Sequence, residues 1–244
     1  MSVTRIGEAP YPVADPHKHP SPRFHAKSHI TAQANAMKLY SEAMAASNAV
    51  FTDKDNIRVF MEHGWVMPLH TLADDVERIV SLFEGNPDVA DEEMCAIFQG
   101  MTDYIKSGLI RRFHSRAHIF SEAFEAHEAG KYNLSVPVFL AQADGIWNER
   151  GGNHIFRGKR EKAVEKHADE FVKDSLTRSF ILALKSRSFP LFQSMRPHPG
   201  SSYPLNRNLV LHGDSLDYGT RKNSFQAMAF LDYCGIILPD LPDE

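Results

Sequence analysis

Arg207 and His212 bracket a short apolar run, Leu209-Val210-Leu211, with the amide of Asn208 beside the arginine and Gly213 directly after the histidine. These residue types suit chemistry on a phosphodiester. A guanidinium is a planar, permanently charged fork that matches two phosphate oxygens. It also stabilises the extra charge of a pentavalent transition state. An imidazole accepts and releases protons near neutral pH. Spacing alone carries little weight, because Arg23/His29, Arg58/His63, Arg112/His118 and Arg160/His167 also have four to six residues between them. The setting singles out Arg207/His212. Residues 188–204 hold Pro190, Pro197, Pro199, Gly200 and Pro204 and read as a loop. Arg207 therefore falls near a helix start, where free backbone N–H groups favour an anion. Gly213 allows a close approach of backbone or ligand. The three apolar residues anchor the polar pair to a core.

The elements that position this pair read as helices throughout, giving an all-α fold class. Residues 1–30, rich in Pro and His, read as an extended arm. Helical patterning follows over 31–50, with Ala36, Met37, Tyr40, Ala43 and Met44 on one stripe. Residues 51–70 read as irregular, broken by Gly64 and Pro68. Helices are then expected over 71–83 and 88–106, separated by Gly85-Asn86-Pro87. Residues 109–128 form another. Ser135 looks like an N-cap with Pro137 in the first turn of a helix running to Asn148. A single amphipathic helix is expected over 159–185, and a last one over 224–237. The division this implies is an arm (1–30), an N-terminal helical region (31–104) and an up-down bundle of four or five helices (105–244).

Charge divides the chain in two. Residues 105–207 carry 17 Lys+Arg against 10 Asp+Glu, while the rest carries 10 against 21. A basic segment leading into the Arg207 site suits a polyanionic substrate. The overall charge of −4 argues against a generic, strongly basic nucleic-acid binder. No apolar run approaches the ~20 residues needed to cross a bilayer, and the N-terminus lacks the apolar stretch of a secretory signal. Cys95 and Cys234 lie far apart in apolar segments, so both read as small core residues in a reducing cytoplasm. Trp65 and Trp147 likewise read as core rather than as base-stacking platforms.

Other constellations are weaker. His17 and His19 flank Lys18, and His114 and His118 stand four apart, a spacing that can hold a metal. No H-E-x-x-H pattern or cysteine pair accompanies them, so a His-rich metallohydrolase is a distant alternative. The phosphate-binding glycine loop, the dinucleotide glycine fingerprint and the G-x-S-x-G elbow are all missing, leaving nucleotide hydrolysis and esterase chemistry without support.

The stretch 203–233, YPLNRNLVLHGDSLDYGTRKNSFQAMAFLDY, resembles the C-terminal motif region of HEPN proteins, in which an Arg, a polar residue, three more residues and a His open the last long helix. Residues 132–147, YNLSVPVFLAQADGIW, resemble the preceding helices of a bacterial HEPN subgroup. The resemblance covers about 105–240. It implies metal-independent RNA cleavage to 2′,3′-cyclic phosphate and 5′-hydroxyl ends, with Arg207, His212 and Asn208 catalytic, Asn208 orienting the pair or binding phosphate, no cofactor, and a role in defence or as a toxin-like effector. It also implies a homodimer, because one His per chain does not readily serve as both base and acid. Some HEPN proteins place an acidic residue on an earlier helix; Asp144 is the best match, with Glu149 second. Others only bind RNA or dimerise, which gives the alternative function.

Overall fold

The computed structural model describes residues 22–156, 160–171, 175–194 and 204–238. Among them every regular element is helical: ten α-helices and two single 3₁₀ turns. The all-α expectation holds. No described helix is long and apolar enough to cross a membrane.

Two units divide the chain, Met1–Ala45 and Ala46–Glu244. Helix α1, Pro22–Thr52, begins in the first. It starts nine residues before the expected position 31, so 22–30 is helical where an arm was expected. Pro22 suits a first helical turn, where its missing N–H is no loss. No Gly or further Pro interrupts the residues that follow. The stripe residues Met37, Tyr40 and Met44 are exposed.

In the second unit, α2 (Lys54–Glu62) occupies part of a stretch expected to be irregular. Asp53 starts it, its carboxylate accepting from the Asp55 and Asn56 N–H groups at 2.8 and 3.1 Å. Helices α3 (Ala73–Gly85) and α4 (Pro87–Arg112) follow, with Asn86 capping α4. The break expected near Gly108 falls instead at Phe113. A mid-helix glycine costs only ~1 kcal/mol, and burying Ile105 and Leu109 in one register outweighs it. A 3₁₀ turn (His114–Arg116) leads into α5 (Ala117–Glu128). The expected domain boundary at 104/105 thus lies inside α4. One core runs from Ile57 to Leu238, so α2–α4 share it with everything downstream.

Helix α6 (Tyr132–Gly151) has Lys131 at its N-cap position rather than Ser135, which is buried inside it. Pro137 lacks the N–H that would reach the Asn133 carbonyl; the Tyr218 hydroxyl donates to that carbonyl instead, at 3.1 Å. The single helix expected over 159–185 is two, α7 (Arg160–Phe171) and α8 (Ser175–Ala183). Arg187 pairs with Glu161, Lys185 with Glu165 and Arg178 with Asp169, an order that runs the two segments antiparallel. A 3₁₀ turn (Pro190–Phe192) and the short α9 (Arg207–Leu211) precede α10 (Arg221–Ile237). Residues 195–203 of the expected Pro-rich loop lie outside the described residues.

Helix α10 is the hub. It packs along α6, across α4 and against α8. All of its residues except Arg221, Lys222 and Ile236 are buried, as befits a helix with little polar face. Trp65, Trp147, Cys95 and Cys234 are core residues, both cysteines free.

Candidate functional site

Asn206, fully buried, builds the platform for Arg207. Its Oδ1 accepts from the Asn208 and Leu209 N–H groups at 3.0 and 3.2 Å, and its Nδ2 donates to the Pro190 and Gln193 carbonyls at 2.7 and 2.9 Å. It therefore caps α9 and ties it to the preceding turn. The expectation that these N–H groups lie open to an anion is corrected: the Asn206 side chain takes two of them.

Arg207 is the first residue of α9, as its context suggested. Its Nη1 donates to Asn208 Oδ1 at 2.7 Å, and its guanidinium carbon lies 4.9 Å from the centre of the Phe156 ring. Nε is buried with no hydrogen-bond partner among the described residues. Phe156 packs on Phe192 and Phe230, ring centres 5.6 and 5.8 Å away, so the stacked guanidinium rests on the core.

His212, at the other end of α9, is exposed. Residues five apart on a helix stand about 140° apart around the axis and about 7.5 Å along it. No hydrogen bond or ring contact joins His212 to Arg207. Gly213 has φ +77°, and the Gly213, Asp214 and Ser215 N–H groups turn back to the Val210 and Leu209 carbonyls. Nothing lies within 4 Å of where its Cβ would be. Its role is to end α9 in the left-handed conformation, in place of the expected close approach. The Arg–His pair thus sits on its own short helix, with eight residues between His212 and the start of α10, instead of opening the last long helix.

Asp144 touches neither Arg207 nor His212. Its Oδ2 lies 2.8 Å from His154 Nδ1, and its Oδ1 accepts from the Phe156 N–H at 3.1 Å. An ionised carboxylate only accepts, so it selects the tautomer with the proton on Nδ1 and leaves the Nε2 lone pair free. His154 is about one-third exposed. The same segment, 154–156, therefore carries an oriented imidazole and the ring on which Arg207 lies. Sequence reading missed His154. Its only signal was a histidine just after the Gly151-Gly152 turn that ends the helix of Asp144. Glu149 is engaged elsewhere, accepting from Arg116 Nε and Nη2 at 3.0 Å each. Arg116 lies across α6 at Gly145, where a Cβ would meet its Nη1 at 2.7 Å.

A serine–histidine arrangement also forms, with His127 Nδ1 2.7 Å from Ser224 Oγ and Ser135 Oγ 2.7 Å from the same hydroxyl. All three are buried, and burial followed by the charge of Arg221 pushes the His127 imidazole down to about 4. A neutral histidine sealed from solvent holds the core together and cannot reach a substrate. Among the described residues, no group of three or more His, Cys, Asp or Glu is placed to hold a metal ion.

The features within reach of solvent are thus an arginine fixed on an aromatic ring, a carboxylate-held imidazole beside it in the chain, and a second imidazole at the far end of α9. Comparison of the chain with family models, with curated proteins and with solved structures finds no match in any of the three, so its function has to be read from this chemistry.

Proposed function

We propose that the chain is a metal-independent endoribonuclease of the HEPN type, acting in the cytoplasm on RNA. The observation that carries this reading is the meeting of Arg207 with segment 154–156: its guanidinium lies on Phe156, two residues beyond the His154 that Asp144 holds. Arg207 grips the scissile phosphate and meets the charge of the transition state. Asn208 fixes the direction of its fork. His154, with Nδ1–H on Asp144, takes the ribose 2′-OH proton on Nε2, and the carboxylate steadies the imidazolium that forms. The bond from phosphorus to the 2′-oxygen forms as that to the 5′-oxygen breaks. A protonated His212 delivers its proton to the leaving 5′-oxygen. One proton is taken up and one released, giving a 2′,3′-cyclic phosphate and a 5′-hydroxyl. Because His212 points away from Arg207 within one chain, the His212 that serves a given Arg207 comes from a second copy in a homodimer. A toxin-like role in defence rests on the family resemblance alone.

Single substitutions Arg207→Ala, His154→Ala and His212→Ala test this. Each is expected to slow RNA cleavage by about 10²-fold or more without lowering the melting temperature. Wild-type rates in all three would overturn the reading. The divergence of Arg207 and His212 around α9 favours a second reading, an RNA-binding or dimerisation module. That protein would shift RNA in a gel and leave no cyclic-phosphate ends.

A further inference from the structure

The aromatic cluster under Arg207 carries a second guanidinium. Arg160, on α7, has its guanidinium carbon 4.2 Å from the centre of the Phe192 ring. Phe192 adjoins Phe156, ring centres 5.6 Å apart, and both rings are only partly buried. Arg160 and Arg207 therefore lie on two touching rings, and both are partly exposed. One strand of RNA covers that separation within a few nucleotides.

The two arginines share a frame. Asn206, next to Arg207, donates to the carbonyls of Pro190 and Gln193, one before and one after Phe192. Arg160 is tied just ahead of the same turn, its Nη2 donating to the Ser186 carbonyl at 3.1 Å. Its Nε, like that of Arg207, is buried with no hydrogen-bond partner among the described residues. Glu161, beside it in the chain, instead accepts from Arg187 Nε at 2.9 Å. The segments 157–159 and 195–203, which join these elements, contain no Asp or Glu.

One stacked arginine with one carbonyl bond is an ordinary clamp between chain segments; cation–π contacts occur about once per 70–80 residues. A clamp does not require a second stacked arginine on the adjoining ring. Nor does it explain why both forks bond neutral groups, the Ser186 carbonyl and the Asn208 amide, that leave their charge for an anion. Forks held in place before a ligand arrives also reduce the ordering cost of binding.

We propose that Arg160 is a second phosphate clamp, holding a phosphate that flanks the one on Arg207, so that the substrate is an oligonucleotide strand rather than a dinucleotide. This rests on the reading of Arg207 as the residue that grips the scissile phosphate. The guanidinium fork suits the two free oxygens of a phosphodiester.

The test uses the full chain and a single-stranded 2′-O-methyl oligonucleotide of about ten residues, which lacks the nucleophile and is not cleaved. Arg160→Gln keeps a donor for the Ser186 carbonyl, and Arg160→Met keeps the cover over Phe192; thermal melts confirm folding. Each should weaken binding about tenfold at low salt and reduce the slope of log K against log salt by about 0.7. Arg160→Lys should retain the slope. In cleavage of the matching RNA, the same two variants should raise KM about tenfold with kcat within about threefold, whereas Arg207→Ala lowers kcat. A dinucleotide, whose single phosphate occupies Arg207, should be cut equally by wild type and Arg160→Gln. The clamp is overturned if the wild type does not bind the oligonucleotide, if the salt slope is unchanged in both neutral variants, or if Arg160→Gln slows the dinucleotide as much as the longer strand. A wild type that shows the Arg160-dependent slope and cuts nothing would uphold the clamp and overturn the nuclease reading alone.

Discussion

The guanidinium carbon of Arg207 lies 4.9 Å from the centre of the Phe156 ring while its Nη1 donates to Asn208 Oδ1 at 2.7 Å. Both contacts depend on a planar fork. A lysine keeps the charge and loses the stacking face and the paired donors. Arg207→Lys is therefore expected to cut RNA about 10²-fold more slowly than wild type, close to Arg207→Ala, in single-turnover assays. A lysine variant at wild-type rate would mean that charge alone suffices and that the stacked geometry is irrelevant.

Asn206 makes four hydrogen bonds from a fully buried side chain. Asn206→Ala removes the helix cap and the side-chain donor to the Pro190 and Gln193 carbonyls, a loss of about 2–3 kcal/mol of folding stability. Denaturant unfolding measures it. Asn206→Ser separates the two roles, since a serine hydroxyl keeps the cap and does not reach the Pro190 and Gln193 carbonyls, so it should fall between wild type and alanine.

Gly219 faces Asn133 so closely that a Cβ would stand 1.7 Å from Asn133 Oδ1. That contact seats the segment before α10 on the start of α6, beside the Tyr218 bond that satisfies the carbonyl freed by Pro137. Gly219→Ala should lower stability by about 1–3 kcal/mol through the forced displacement. An unchanged unfolding midpoint would show that the two segments are not packed as described.

His127 gives the fold a defined acid sensitivity. Burial lowers its folded value to about 4 against 6.5 when unfolded. The unfolded chain therefore binds more protons between those limits, and stability rises with pH across that window. The contribution is complete above about 6.5 and is lost as pH falls towards 4, on the order of 3 kcal/mol in all. Unfolding free energies at pH 7 and pH 5 should differ in this sense for wild type, and the slope should shrink in His127→Gln. Equal slopes would place the acid sensitivity elsewhere.

What could be read from the residues was largely what depends on local pattern. The apolar residues of 224–237 announced a terminal helix, and the Pro-rich stretch before Arg207 announced a helix start. Trp65, Trp147 and both cysteines announced core. Features set by folding back were not visible. The fold-back between α7 and α8 interrupts an amphipathic pattern that runs on unbroken, and only the cross-pairs Arg187–Glu161 and Lys185–Glu165 reveal it. His154 meets Asp144 because the chain reverses after Gly152, whose φ of +70° ends α6. No periodicity links those two residues. Asn206 carried no signal of its own, because two of its four partners, Pro190 and Gln193, lie well back in the chain.

We propose that Arg207, with the Asp144–His154 pair and His212, cleaves RNA by attack of the 2′-hydroxyl. The most direct test is incubation of the purified chain with total RNA in parallel with the His154→Ala protein, followed by sequencing of the new ends with chemistry specific for 2′,3′-cyclic phosphates. The wild-type chain should leave cyclic-phosphate and 5′-hydroxyl ends, and the variant should leave none. Intact RNA from both proteins, or 3′-hydroxyl ends from the wild type, would contradict the proposal.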